Sequence, residues 1–119
     1  MADNIIKVKS FAFALRIVKL YQFLGTEKKE FILSKQLLRS GTSIGALVRE
    51  SEHAESKPDF IHKLAIAQKE ANESDYWLEL LFQSEYLNQS QFQSLNSDIV
   101  EINKILASII ISTKNNLKK

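Results

Sequence analysis

The chain has 119 residues, a formal net charge of +2, no cysteine, three glycines and one proline. That length holds one domain, residues 1–119, with its own hydrophobic core, and the lack of cysteine excludes disulfides and thiolate metal sites. So little glycine and proline argues against a turn-rich β protein, and the abundance of Leu, Ile, Ala, Glu, Lys, Ser and Gln points to an all-α fold.

Helix one is predicted over about 5–24. Val8, Phe11, Leu15 and Val18 form one apolar stripe at spacings of three and four, and Phe13, Ile17, Leu20 and Leu24 form a second. Two stripes exceed what one core-facing side needs. Gly25-Thr26 reads as the stop. Helix two is predicted over about 34–55, on Leu37, Gly41, Ile44 and Val48. Helix three is predicted over about 58–86: Ser56 or Lys57 caps it, Pro58 sits in its first turn, and Asp59 suits the positive end of its dipole. Its core stripe is Phe60, Leu64, Ala67, Ala71, Ser74, Leu78 and Leu81. Helix four is predicted over about 90–113, from a capping-box spacing at Ser90 and Gln93, with Leu95, Ile99, Ile102, Leu106 and Ile109 facing inward. The polar tail KNNLKK is expected to fray. Four amphipathic rods near 30 Å long, joined by short links, predict an antiparallel up-down-up-down four-helix bundle. The start, MADNIIKVKS, has no signal-peptide pattern. The most apolar run, Ile105–Ile111, falls well short of the roughly 20 residues a membrane span needs. The expectation is a soluble cytoplasmic protein with no membrane association.

The stretch LLRSGTSIGALVRE, residues 37–50, carries two glycines four apart. A phosphate-binding loop needs a lysine after the second glycine and a strand before the first; here Ala46 follows Gly45 and the context is helical. A nucleophilic serine needs a base in reach, and the GxSxG elbow is absent. What remains is close packing. Ser40, Gly41, Thr42, Gly45 and Ala46 make a low surface with room for a bulky residue such as Phe or Trp77 from a facing helix. His53 and His62 stand at no metal-binding spacing. Glu50, Glu70 and Glu73 lack the histidine partners of a di-metal carboxylate site. No catalytic residue, cofactor or metal is expected, and the chain reads as no enzyme.

Charge is uneven. Residues 1–49 carry nine Lys/Arg and three Asp/Glu, residues 50–85 three and nine, and residues 86–119 four and two. Lys28, Lys29, Lys35, Arg39 and Arg49 are candidates for a phosphate-contacting edge. Equally, Arg39 and Glu50, which share a helical face with Ser43 and Ala46, are placed to pair with a neighbouring helix. YWLELLF, residues 76–82, adds aromatic area to an interior already crowded by helices one and four, so an oligomer that buries the surplus is expected.

Residues 33–81 resemble the four-helix bundle family of 23S ribosomal RNA intervening-sequence proteins. Arg39, Ser40, Ser43, Ile44, Gly45 and Glu50 match that family's helix-two motif; Ser56, Phe60, Ala67, Glu70, Ala71, Glu73, Tyr76 and Leu78 match its helix-three pattern. The chain departs at Leu47, where asparagine is usual, and at Arg49 and Ser51, where small residues are common. The resemblance implies a compact bundle that assembles into a homopentameric ring, without established enzymatic activity. Because some members are encoded within ribosomal RNA genes and related bundles serve reverse transcriptases, it also implies RNA or a reverse transcriptase-like protein as partner. The expected function is a non-enzymatic adaptor contacting RNA or a nucleic-acid enzyme; the rival is a structural protein-interaction module that binds no nucleic acid.

Overall fold

The computed structural model describes residues 2–117, with side chains from Ile5 onward. Four helices follow one another: α1 (Ala2–Lys28), α2 (Leu33–Ser51), α3 (Lys57–Gln83) and α4 (Gln89–Leu117), with no strand among the described residues. Each helix packs on its neighbour in sequence, and α1 closes on α4 over a smaller contact. Lys7 near the start of α1 reaches Glu52 just past the end of α2, Arg39 of α2 meets Glu70 and Glu73 of α3, and Arg16 of α1 meets Asp98 of α4.

The core lies along the axis. Phe13, Ile17 and Leu24 of α1 meet Leu37 and Ile44 of α2, Leu64, Leu78 and Leu81 of α3, and Ile99, Ile102 and Leu106 of α4. Burying each such side chain contributes about 1.5–3 kcal/mol before conformational entropy is set against it. Ion pairs on the outside, such as Lys9 with Glu101 at 3.2 Å, are exposed and contribute well under about 1 kcal/mol each.

Helix existence and most core positions follow the sequence reading, but Ile110 rather than Ile109 is buried at the end of α4, Phe60 is only partly buried, and boundaries move. α1 does not stop at Gly25. That glycine keeps an ordinary helical φ, and the chain turns instead at Lys29, whose φ is 55°. The Glu30 N–H then donates back to the Leu24 carbonyl at 2.9 Å. α2 ends at Ser51 rather than 55. The N–H groups of Glu52, His53 and Ala54 tighten onto carbonyls three residues back, a common way to exhaust a last turn. α3 ends at Gln83 rather than 86, with Glu85 at φ 71° and the Tyr86 and Glu85 N–H groups donating to Leu81 and Phe82, the double bond of a Schellman stop. Of the two cap candidates, Ser56 rather than Lys57 caps α3, its Oγ accepting from the Asp59 N–H at 3.1 Å. The capping box of α4 lies two residues earlier than expected. The Asn88 side chain accepts from the Gln91 N–H at 2.8 Å, and the Gln91 side chain accepts from the Asn88 N–H at 2.9 Å. α4 stays helical through KNNL to Leu117. The longer helices, 27 residues for α1 and α3 and 29 for α4, span about 40 Å each rather than 30.

Candidate functional site

The glycine stretch is a helix contact, made with α1. A Cβ on Gly41 would stand 2.9 Å from Ile17 Cγ1 and 3.1 Å from its Cγ2. Ile17 is fully buried and β-branched, so it has little freedom to give way. Gly45 is different: a Cβ there would meet Ser10 at an ordinary 3.5 Å. Trp77 is not among the nearest neighbours of Gly41 or Gly45, which are Ile17 and Ser10. It stays half-buried on α3, edge-on to Tyr76 at 4.9 Å, with its indole N–H donating to Glu73 at 3.0 Å. The interior position one residue on goes to Leu78, which is fully buried.

The rest of the motif joins α2 to α3. Ser40 and Ser74 are both fully buried and hydrogen-bonded to each other at 2.9 Å; the Ser74 hydroxyl also lies 2.8 Å from the Glu70 carbonyl. Ile44 sits in the core, and the Ser43 hydroxyl donates to the Arg39 carbonyl at 2.6 Å. Arg39 spans Glu70 at 3.1 Å and Glu73. The Trp77 indole and the Arg39 guanidinium together hold the Glu73 carboxyl below the usual carboxylate range, outweighing its partial burial. Glu50 pairs with Lys63 at 3.4 Å.

These contacts divide the five cations proposed for phosphate. Arg39 is committed to two acids, and Arg49 lies over the Phe11 ring, 5.1 Å from its centroid. Lys28, Lys29 and Lys35 are exposed and enter no ion pair among the described residues. They surround the α1–α2 turn, where Phe31 and Ile32 are 56% and 77% exposed.

That turn is held by a residue the sequence reading passed over. Glu30 is buried, and its carboxylate accepts from the N–H groups of Ile32 at 2.9 Å, Leu33 at 3.0 Å and Ser34 at 2.7 Å. Burial pushes its carboxyl up, but the backbone N–H groups of Ser34, Leu33 and Ile32 outweigh this and hold it below the usual carboxylate range. It thus supplies the cap that Ile32, at the N-cap position, cannot. The Ser34 hydroxyl answers by donating to the Glu30 carbonyl at 3.0 Å. The signal was a Glu four residues before a Ser at the head of a helix.

The two α1 stripes part company. Phe13, Ile17, Leu20 and Leu24 are buried, while Ile5, Val8, Phe11, Leu15 and Val18 are 37–66% exposed. This outward row runs about 20 Å along the helix. Near the opposite end of the bundle from the α1–α2 turn, a half-open cleft of about 390 Å³ has mostly apolar walls, with Ile6, Val48, Phe60, Leu64 and Ile109 among them. Its acid Glu52 is engaged by Lys7 at 3.3 Å. Among the described residues no three His, Cys, Asp or Glu side chains converge as a metal site, and His53 and His62 are exposed. No helix among them is long and apolar enough to cross a membrane.

Comparison with known proteins agrees with this architecture. The family described as 23S rRNA-intervening sequence protein matches residues 2–108. Four solved chains match. One of them, a protein of unknown function from the S23 ribosomal protein family of Bacteroides thetaiotaomicron, is 62% identical with a TM-score of 0.91, over 92% of this chain and 98% of that one. No curated protein matches.

Proposed function

This chain belongs to the 23S rRNA-intervening sequence protein family, and from that premise we propose that it is a non-enzymatic cytoplasmic adaptor. In this reading it is an up-down-up-down bundle that assembles with copies of itself into a homopentameric ring. The ring contacts RNA or a reverse transcriptase-like nucleic-acid enzyme. The observation that carries the reading is the outward row Ile5, Val8, Phe11, Leu15 and Val18. A continuous apolar row on one helix is more than scattered surface residues account for, and a second copy is the partner always present to cover it. The up-down order is supported by the pairings of Lys7 with Glu52, Glu50 with Lys63, and Lys9 with Glu101. Lys28, Lys29 and Lys35 carry the phosphate contacts, since Arg39 and Arg49 are engaged within the bundle.

The same engagement of two of five cations favours the second reading, a protein-interaction module without nucleic-acid affinity. Light scattering after size exclusion, with absorbance at 260 and 280 nm, separates the two. The adaptor reading expects a ring-sized peak that binds RNA, with affinity lost and size unchanged in Lys28→Glu/Lys29→Glu/Lys35→Glu. It also expects Leu15→Glu to reduce the peak to a folded monomer. A ring indifferent to RNA selects the second reading, and a wild-type monomer refutes self-assembly.

A further inference from the structure

We infer that the end of the bundle where α1 turns into α2 and α3 into α4 is a binding site for single-stranded nucleic acid, with Phe31 as a platform for an unstacked base. The inference rests on the nucleic-acid reading above and narrows it from phosphate attraction to recognition of bases that a duplex keeps stacked. Gly25 lies inside α1 with an ordinary helical φ, where alanine would favour the helix more. Its backbone freedom is unused. What it does is make room: a Cβ there would stand 3.1 Å from Phe31 Cε1 and 3.6 Å from Cδ1. The ring therefore rests against bare helix backbone, yet remains 56% exposed.

The turn that presents this ring is preorganised by the three backbone hydrogen bonds to Glu30. Glu30 is thereby folded inward, so the acid within the KKEFI sequence faces the backbone rather than the lysines. Lys28, Lys29 and Lys35 are exposed and lie within four residues of Phe31 in the chain, and an aromatic face with cations near it is the combination that single strands require.

Lys28 also lines an open cleft of about 380 Å³ at the same end, beside Phe23, Phe82 and Tyr86, with Asn88 and Gln91 at its edge. The capping box uses the carbonyl oxygens of these two amides, which leaves their NH₂ groups to donate to a base edge. Glu85 lines the cleft too and repels phosphate from it, so a base enters while the backbone stays on the lysines.

The test uses the intact chain and fluorescence anisotropy with a labelled, non-self-pairing RNA of about a dozen nucleotides, a length that spans one such site, and with the same sequence as a duplex. The strand should bind at least about tenfold more tightly than the duplex. Phe31→Leu should weaken strand binding about tenfold, as loss of one stacked base does, while Phe31→Tyr retains it. Both variants alter an exposed side chain, and circular dichroism verifies their helicity. Equal binding of strand and duplex, unmoved by Phe31→Leu, overturns the inference and leaves the phosphate reading standing. Absence of any RNA binding overturns both. Binding of phosphatidylserine vesicles without RNA also overturns it, because Phe31, Ile32 and the lysines then form a membrane contact.

Discussion

Replacing Gly41 by alanine should destabilise the protein, although the same change at Gly45 should stabilise it. Both residues are in α2, and both changes recover about 1 kcal/mol of helix propensity. The neighbours decide the sign. At Gly41 the new methyl would stand 2.9 Å from Ile17 Cγ1 and 3.1 Å from Cγ2, on a buried β-branched side chain, and overpacking of this kind costs about 1–3 kcal/mol. The net is a loss of about 1 kcal/mol. At Gly45 the 3.5 Å contacts with Ser10 are ordinary, so the propensity gain survives and stability rises by about 0.5–1 kcal/mol. With a urea slope near 1.5 kcal/mol/M, the two variants should differ in midpoint by about 1 M. Assays at one protomer concentration keep assembly from shifting the comparison. The decisive arm is Ile17→Ala. It costs about 2–5 kcal/mol alone, but in that background Gly41→Ala should become stabilising, a coupling of about 2 kcal/mol. If Gly41→Ala stabilises wild type as much as Gly45→Ala does, or if Ile17→Ala leaves its effect unchanged, the close-approach argument is wrong.

Glu30→Gln should lower stability by about 1.5–3 kcal/mol at neutral pH, the value of hydrogen bonds to a buried charge, read as a fall in Tm. Because the folded carboxyls of Glu30 and Glu73 lie below their ordinary values, their contribution is complete above the unfolded value of about pH 4.3 and drains as pH falls through the folded ones. Wild type should therefore lose stability on acidification below about pH 4.3, and Glu30→Gln should lose less over that interval. Ser74→Ala should cost about 1–2 kcal/mol, since it strands the buried Ser40 hydroxyl with only the Leu37 carbonyl at 3.4 Å. Ser40→Ala should be nearly neutral in the same urea titration, because Ser74 keeps the Glu70 carbonyl at 2.8 Å.

Several features were legible before any fold was built because they depend on neighbours in sequence. The number and type of helices followed from apolar spacing and the scarcity of breakers. The start of α3 followed from Ser56, Pro58 and Asp59, whose effects act within one turn. The interior row of α3, from Leu64 to Leu81, was readable for the same reason. Ends were less legible. Gly25 carries the usual stop residue, but the helix continues because a glycine at helical φ only weakens it, while Lys29 and Glu30 complete a better turn four residues on. The α4 cap moved because Asn88–Gln91 and Ser90–Gln93 both have capping spacing, and local chemistry alone ranks them closely.

Residue pattern alone determined that this chain makes four helices with periodic apolar stripes and a surplus of apolar surface, and that the glycine stretch of α2 must touch another helix. Only the tertiary structure decided which apolar row of α1 faces inward. It also seated Ile17 rather than Trp77 against Gly41, tied Arg39 and Arg49 within the bundle, and left Lys28, Lys29 and Lys35 exposed at the turn that carries Phe31. The reason is physical. Periodicity and capping energies are set within a turn or two of one chain segment, whereas a side chain's burial and charge partners depend on which distant segments reach it first.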